Sequence, residues 1–158
     1  MDILSDALFA AIAAIGFAAI SRPPRRAYFY CAIVAAIGHS ARYILMNPDI
    51  CGMNIIGASS IAALAVGIFA VLLSPLSKMP AETCFFPALL PMIPGMYAYR
   101  SFGALALCLL HPDEDAFGHY FYLFASNAFT CCFVLLGMVI GATLPIFLLK
   151  KISFQATR

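Results

Sequence analysis

Residues 3–26 read ILSDALFAAIAAIGFAAISRPPRR, and that stretch decides the class of protein. From Ile3 to Ile20 the single charged residue is Asp6. At about 1.5 Å per helical residue, the run is long enough to cross most of a hydrocarbon core about 30 Å thick. It stops abruptly at Pro23 and Pro24, which cannot continue a helix and are framed by Arg22, Arg25 and Arg26. An apolar run closed by arginines reads as a membrane span whose cytoplasmic end lies at the arginines. Asp2 and Asp6 stand where a cleavable signal peptide has a basic region, so this segment is expected to be retained as the first span.

The remaining sequence repeats the pattern. Of 158 residues 64% are apolar and 10% charged, where a soluble domain carries roughly 25% charged residues. Apolar runs at about 3–20, 27–46, 52–73, 83–110 and 118–149 predict an all-α integral membrane protein of one domain with about five transmembrane helices. Asn47-Pro48-Asp49 marks a turn, Ser74-Pro75 is expected to end the third span, and the fifth is long enough to tilt or protrude. Ser59, Ala63 and Gly67 share a face that lets two helix backbones approach, and Gly137 and Gly141 repeat that spacing. The six cysteines have no CxxC spacing and read as small hydrophobes.

Charge orients the spans. With the Arg22/Arg25/Arg26 loop in the cytoplasm, alternation puts Lys78, Lys150, Lys151 and Arg158 on the same side, seven of the nine basic residues. Asp2, Asp6, Asp49 and Asp113-Glu114-Asp115 then lie outside, with Glu82 inside. The expected topology is N-terminus out and C-terminus in. A four-span alternative would demote the second segment, which carries His39 and Arg42. The formal net charge of +2 is small and its basic residues are placed by topology, so no nucleic-acid partner is implied.

Arg42, Arg100 and His39 lie inside apolar segments, where an ionisable group costs a few kcal/mol or more and so marks function. His39 and Arg42 are three residues apart, on one helix face. They read either as a snorkelling arginine beside a hydrogen-bonded histidine, or as a fixed charge for a carboxylate beside a group titrating near physiological pH. Residues 89–100, LLPMIPGMYAYR, contain Pro91, Pro94 and Gly95, so the fourth span should be broken there. A break in a membrane is tolerated where protein or a water-filled cavity satisfies the freed backbone groups. A half-helix starting near Met96 would aim its N-terminus at mid-membrane with Arg100 one turn along, an anion site of the kind built from discontinuous helices. A packing kink is the alternative. Asn127 and Thr130 share a face of the fifth span and read as path lining or as interhelical hydrogen bonding. His111 and His119 flank the acidic loop, which reads as solvated rather than as a metal site. No HExxH, phosphate-binding glycine loop or nucleophile–base pair is present in the sequence, so neither an enzyme nor a cofactor is expected.

The same residues carry a resemblance. Gly16-Phe17-Ala18 with Pro24-Arg25-Arg26-Ala27, Gly38-His39-Ser40-Ala41-Arg42 ending in Leu45-Met46, and Pro91-Met92-Ile93-Pro94-Gly95 with Tyr97-Ala98-Tyr99 resemble the C-terminal half of the threonine/serine exporter family. The resemblance covers nearly the whole chain. In that family a transporter occurs as one polypeptide or split into two subunits, and a chain of this length looks like the small subunit of the split form, whose larger partner carries the other membrane half. Split members are associated with succinate export and fused members with threonine and serine export. The resemblance implies export of a small carboxylate across the bacterial inner membrane. The candidate substrate-binding residues are His39, Arg42, Pro91, Pro94, Gly95, Tyr97, Tyr99, Arg100 and Asn127. Two other functions fit the residues: a homo-oligomeric anion channel lined by His39, Arg42 and Arg100, and an accessory subunit that only stabilises its partner.

Overall fold

The computed structural model describes residues 3–111 and 113–149. Asp2, Lys150, Lys151 and Arg158, used above to assign orientation, lie outside the described residues. Among the described residues the chain is entirely helical: α1 (Ile3–Ser21), α2 (Arg25–Met46), α3 (Ile55–Ser77), α4 (Glu82–Leu89), a 3₁₀ turn (Leu90–Met92), α5 (Gly95–Leu110) and α6 (Glu114–Leu148). Four helices are long and apolar enough to cross a membrane, and five crossings result if the interrupted pair α4/α5 is one span. The expected all-α membrane fold and its broken fourth segment are therefore present.

Three boundaries differ from the hydropathy reading for local reasons. α3 runs past Ser74-Pro75 to Ser77, because a proline removes one donor but does not stop the turn that it enters. Lys78 then leaves in the left-handed region (φ 54°), while Ser74 Oγ donates to the Met79 carbonyl at 2.7 Å. α6 starts at Glu114, so the acidic cluster forms a helix start rather than a loop. Carboxylates complement the positive end of a helix dipole, and the Asp113 carbonyl accepts from Phe117 N–H at 2.7 Å. α3 starts at Ile55 because the Asn54 side chain caps it, accepting from Gly57 N–H at 2.8 Å.

The described residues form two compact units. The first comprises the chain to Met92 together with α6 from Gly137 onward, and the second comprises Ile93–Leu136. In the first unit α2 packs against α1, α3 and α4. Its interior is lined with small side chains: Ala10, Ala14 and Ala18 of α1, Ala27, Ala35 and Gly38 of α2, and Ala58, Ala62, Ala63 and Gly67 of α3. Large apolar residues such as Leu4, Leu8, Phe9, Phe29 and Leu76 point outward. That inversion follows from the solvent. Lipid is as apolar as leucine, so helices associate through close backbone packing rather than by hiding large side chains.

The closest packing is between α3 and the end of α6. A Cβ on Gly67 would strike the Ala142 carbonyl, and one on Gly137 would strike Ser60 Oγ. A Cβ on Gly141 would lie 2.5 Å from the Ser60 carbonyl. The two small-residue faces, read separately from sequence, thus meet in one seam through Ala63, Gly67, Gly137 and Gly141, with Ser60 rather than Ser59 at the contact. We expect Gly67→Leu to lower stability by about 1–3 kcal/mol or more, since a backbone carbonyl cannot yield as a side chain does. Gly16→Ala, where an added Cβ meets nothing within 4 Å, should be neutral or slightly stabilising. Thermal unfolding of the two variants in detergent micelles measures the contrast, and equal midpoints would show the seam to be unimportant.

Candidate functional site

In the first unit, His39 and Arg42 of α2 face Asp6 of α1 and the carbonyl end of the 3₁₀ turn. His39 is 6% exposed, and its Nδ1 lies 3.3 Å from Asp6 Oδ2. A carboxylate only accepts, so Nδ1–H is the donor. Nε2 is buried without a hydrogen-bond partner among the described residues, although the Pro91 carbonyl stands near the ring. Ser59 Oγ on α3 is the other such atom.

Arg42 Nη1 donates to the Met92 carbonyl at 2.9 Å. The reason for that bond lies in the break. Pro94 has φ −79° and ψ 60°, and Gly95 N–H donates to the Ile93 carbonyl at 2.8 Å, which together make an inverse γ-turn. In a continuous helix the Met92 carbonyl would accept from residue 96. The turn frees it, and the guanidinium takes it. A freed carbonyl inside a membrane needs such a partner. Arg42 keeps further N–H donors, and with Asp6 it lines a cavity of about 530 Å³ that continues along Tyr43 and Met46 to Asn47, Pro48 and Asp49. That volume is within the range of small-molecule sites. The turn at its mouth is held by Asn47, whose carbonyl accepts from the amides of Ile50, Cys51 and Gly52 and whose Oδ1 accepts from Asp49 N–H.

In the second unit, the candidates at the break and on α5 do not form a comparable polar cluster. The Pro94 carbonyl accepts from Tyr97 and Ala98, and the Gly95 amide is taken by Ile93, so these donors are committed to the chain itself. Tyr97 is half-buried, Tyr99 is 74% exposed, and Arg100 is exposed. Asn127 donates to Leu123 and Thr130 to Ser126, each within α6, where the sequence had suggested path lining or bonds between helices. Ser101 Oγ joins α5 to α6 through the Phe124 carbonyl. No group of three or more potential metal ligands occurs among the described residues.

Residues 6–148 match the family described as Threonine/Serine exporter, ThrE. The chain belongs to the threonine/serine exporter family. An uncharacterized protein of Haemophilus influenzae is 34% identical over 145 residues, which is 92% of this chain and 47% of that protein. The chain thus spans about half the length of the curated relative that it matches. No solved structure matches it significantly. Membership of this exporter family, with its several apolar helices, makes the protein a multi-pass membrane protein of a transport family and points away from enzymes.

Sequence reasoning paired His39 with Arg42 but did not bring Asp6 and Asp49 to them. Asp6 was readable as an ionisable residue one turn inside an apolar helix. Its partner is 33 positions away, and only the packing of α1 on α2 supplies it.

Proposed function

We propose that the chain is one membrane half of an exporter for small zwitterionic amino acids of the threonine and serine type, working in the bacterial inner membrane with a larger membrane subunit. The observation that carries this reading is the charge pattern of the cavity: one guanidinium, Arg42, with two carboxylates, Asp6 and Asp49. A zwitterion places its carboxylate on Arg42 and its ammonium on Asp6 or Asp49. A dicarboxylate such as succinate brings two anions to a wall holding two, where like charges repel. The relative's double length supports a transporter of which this chain matches about one half. On the positive-inside rule, Arg25 and Arg26 open α2 on the cytoplasmic side, so the cavity at its other end faces out, with the N-terminus outside. A solute released there has been exported.

The test is binding of threonine, serine and succinate to the purified complex by titration calorimetry. Threonine or serine binding that succinate does not displace supports the reading, and tighter succinate binding refutes it.

Asp6 and His39 also suggest how export is driven. A proton entering that pair adds positive charge beside the ammonium and favours its release. His39→Gln keeps a donor for Asp6 and removes the titrating ring. We expect the pH dependence of efflux between about pH 5 and 8 to flatten in this variant. An unchanged profile would make His39 structural.

A further inference from the structure

Arg100 sits six residues into α5 (Gly95–Leu110) and is exposed. It has no hydrogen bond or ion pair among the described residues. Ten residues separate it from Leu110, about 15 Å of helix, and the other end of α5 is the break inside the span. An arginine at that depth is out of snorkelling range of either headgroup layer, and an unpaired charge in hydrocarbon is costly. Its face is otherwise apolar, with Met96 61% and Leu110 71% exposed. On that face Gly103 leaves a gap, since a Cβ built there meets nothing within 4 Å. A charge that demands neutralisation therefore sits beside a gap where another helix backbone fits.

We propose that this face of α5 docks against a transmembrane helix of a different membrane subunit, one that carries an aspartate or glutamate at the depth of Arg100. The proposal rests on the two-subunit reading above and names its contact. A second copy of this chain does not meet the requirement. Of the six acidic residues among the described residues, Asp49, Glu82, Asp113, Glu114 and Asp115 lie in turns or at helix starts. Asp6, one turn into α1, is engaged by His39. None of these six lies midway along a spanning helix.

A photo-crosslinking amino acid at Gly103 in the full chain, expressed in its native membrane, identifies the neighbour. The expected adduct is a peptide of a distinct membrane protein with a carboxylate within one helical turn. Adducts only to lipid, to a second copy or to the chain itself overturn the proposal. The paired test is co-purification of that protein with charge variants whose own membrane level is checked. Arg100→Asp and Arg100→Leu should reduce recovery roughly tenfold or more, and Arg100→Lys by less than about twofold. Exchanging the partner's carboxylate for arginine should restore recovery with Arg100→Asp. Undiminished recovery with Arg100→Leu overturns this contact and leaves the two-subunit reading standing, whereas absence of any larger subunit from the wild-type preparation overturns both. Threonine binding at the Asp6/Arg42 cavity is read separately and does not bear on this outcome.

Discussion

An Arg42→Gln variant is expected to insert and fold normally while binding threonine about 30-fold more weakly or worse. Glutamine keeps an N–H for the Met92 carbonyl, so the structural role seen at 2.9 Å survives in kind, but the charge that would hold a substrate carboxylate is gone. Removing one partner of a desolvated charge pair costs about 2 kcal/mol or more, and each 1.4 kcal/mol is tenfold. Arg42→Lys retains charge without the fork and should lie between the variant and the wild type. The carboxylate side gives the complementary result. In Asp6→Asn the amide oxygen still accepts from His39 Nδ1–H, whereas the negative charge offered to the ammonium is lost. Threonine affinity should fall by roughly 10- to 100-fold, the range for a hydrogen bond to a charged group. Succinate, no longer facing two carboxylates, should bind better than to the wild type. Titration calorimetry on the three variants decides the matter. Wild-type threonine affinity in Arg42→Gln would mean that the guanidinium only caps the broken segment.

The parts of the molecule that could be read in one dimension are those that the bilayer enforces locally. A spanning helix satisfies its own backbone, so its existence depends on a run of apolar residues and little else, and α1 and α2 fall within two residues of the predicted spans. The break at Pro94 was legible for the same reason, because proline acts on its own turn. Side-chain pairing is a different matter. The i, i+3 spacing of His39 and Arg42 gives a shared face, but the identity of the facing helix depends on three-dimensional packing that no periodicity encodes. Asp6 therefore looked like a topological marker, and the carbonyl that Arg42 needs lay hidden in the backbone of Met92. Arg100 is read from its position after a Pro-Gly break as a ligand for an anion, and sequence alone does not tell which way its side chain faces. In the structure it is exposed, and the Gly95, Tyr97 and Ala98 amides at the break are bonded to Ile93 and Pro94. The glycines were legible as a packing motif, yet only the structure pairs Gly137 and Gly141 with Ser60.

Replacing Pro94 and Gly95 together with alanine should uncouple Arg42 from the break without touching the cavity walls. Helix propensity favours continuation, by about 3 kcal/mol at the proline and about 1 kcal/mol at the glycine. Gly95 does not resist sterically, since an added Cβ there meets nothing within 4 Å. Once the γ-turn is gone, the residue 96 amide can take the Met92 carbonyl, and Arg42 loses the anchor that fixes its guanidinium at the cavity. The protein should still insert and assemble, with equal or higher thermal stability, and threonine affinity should fall by roughly tenfold as a positioned charge becomes a mobile one. A double-mutant cycle with Arg42→Gln tests the route. If the break acts through Arg42, the combined variant loses little more affinity than Arg42→Gln alone, whereas independent contributions would add. Should the double alanine variant bind and export threonine as the wild type does, the γ-turn is a packing feature and Arg42 holds its position without it.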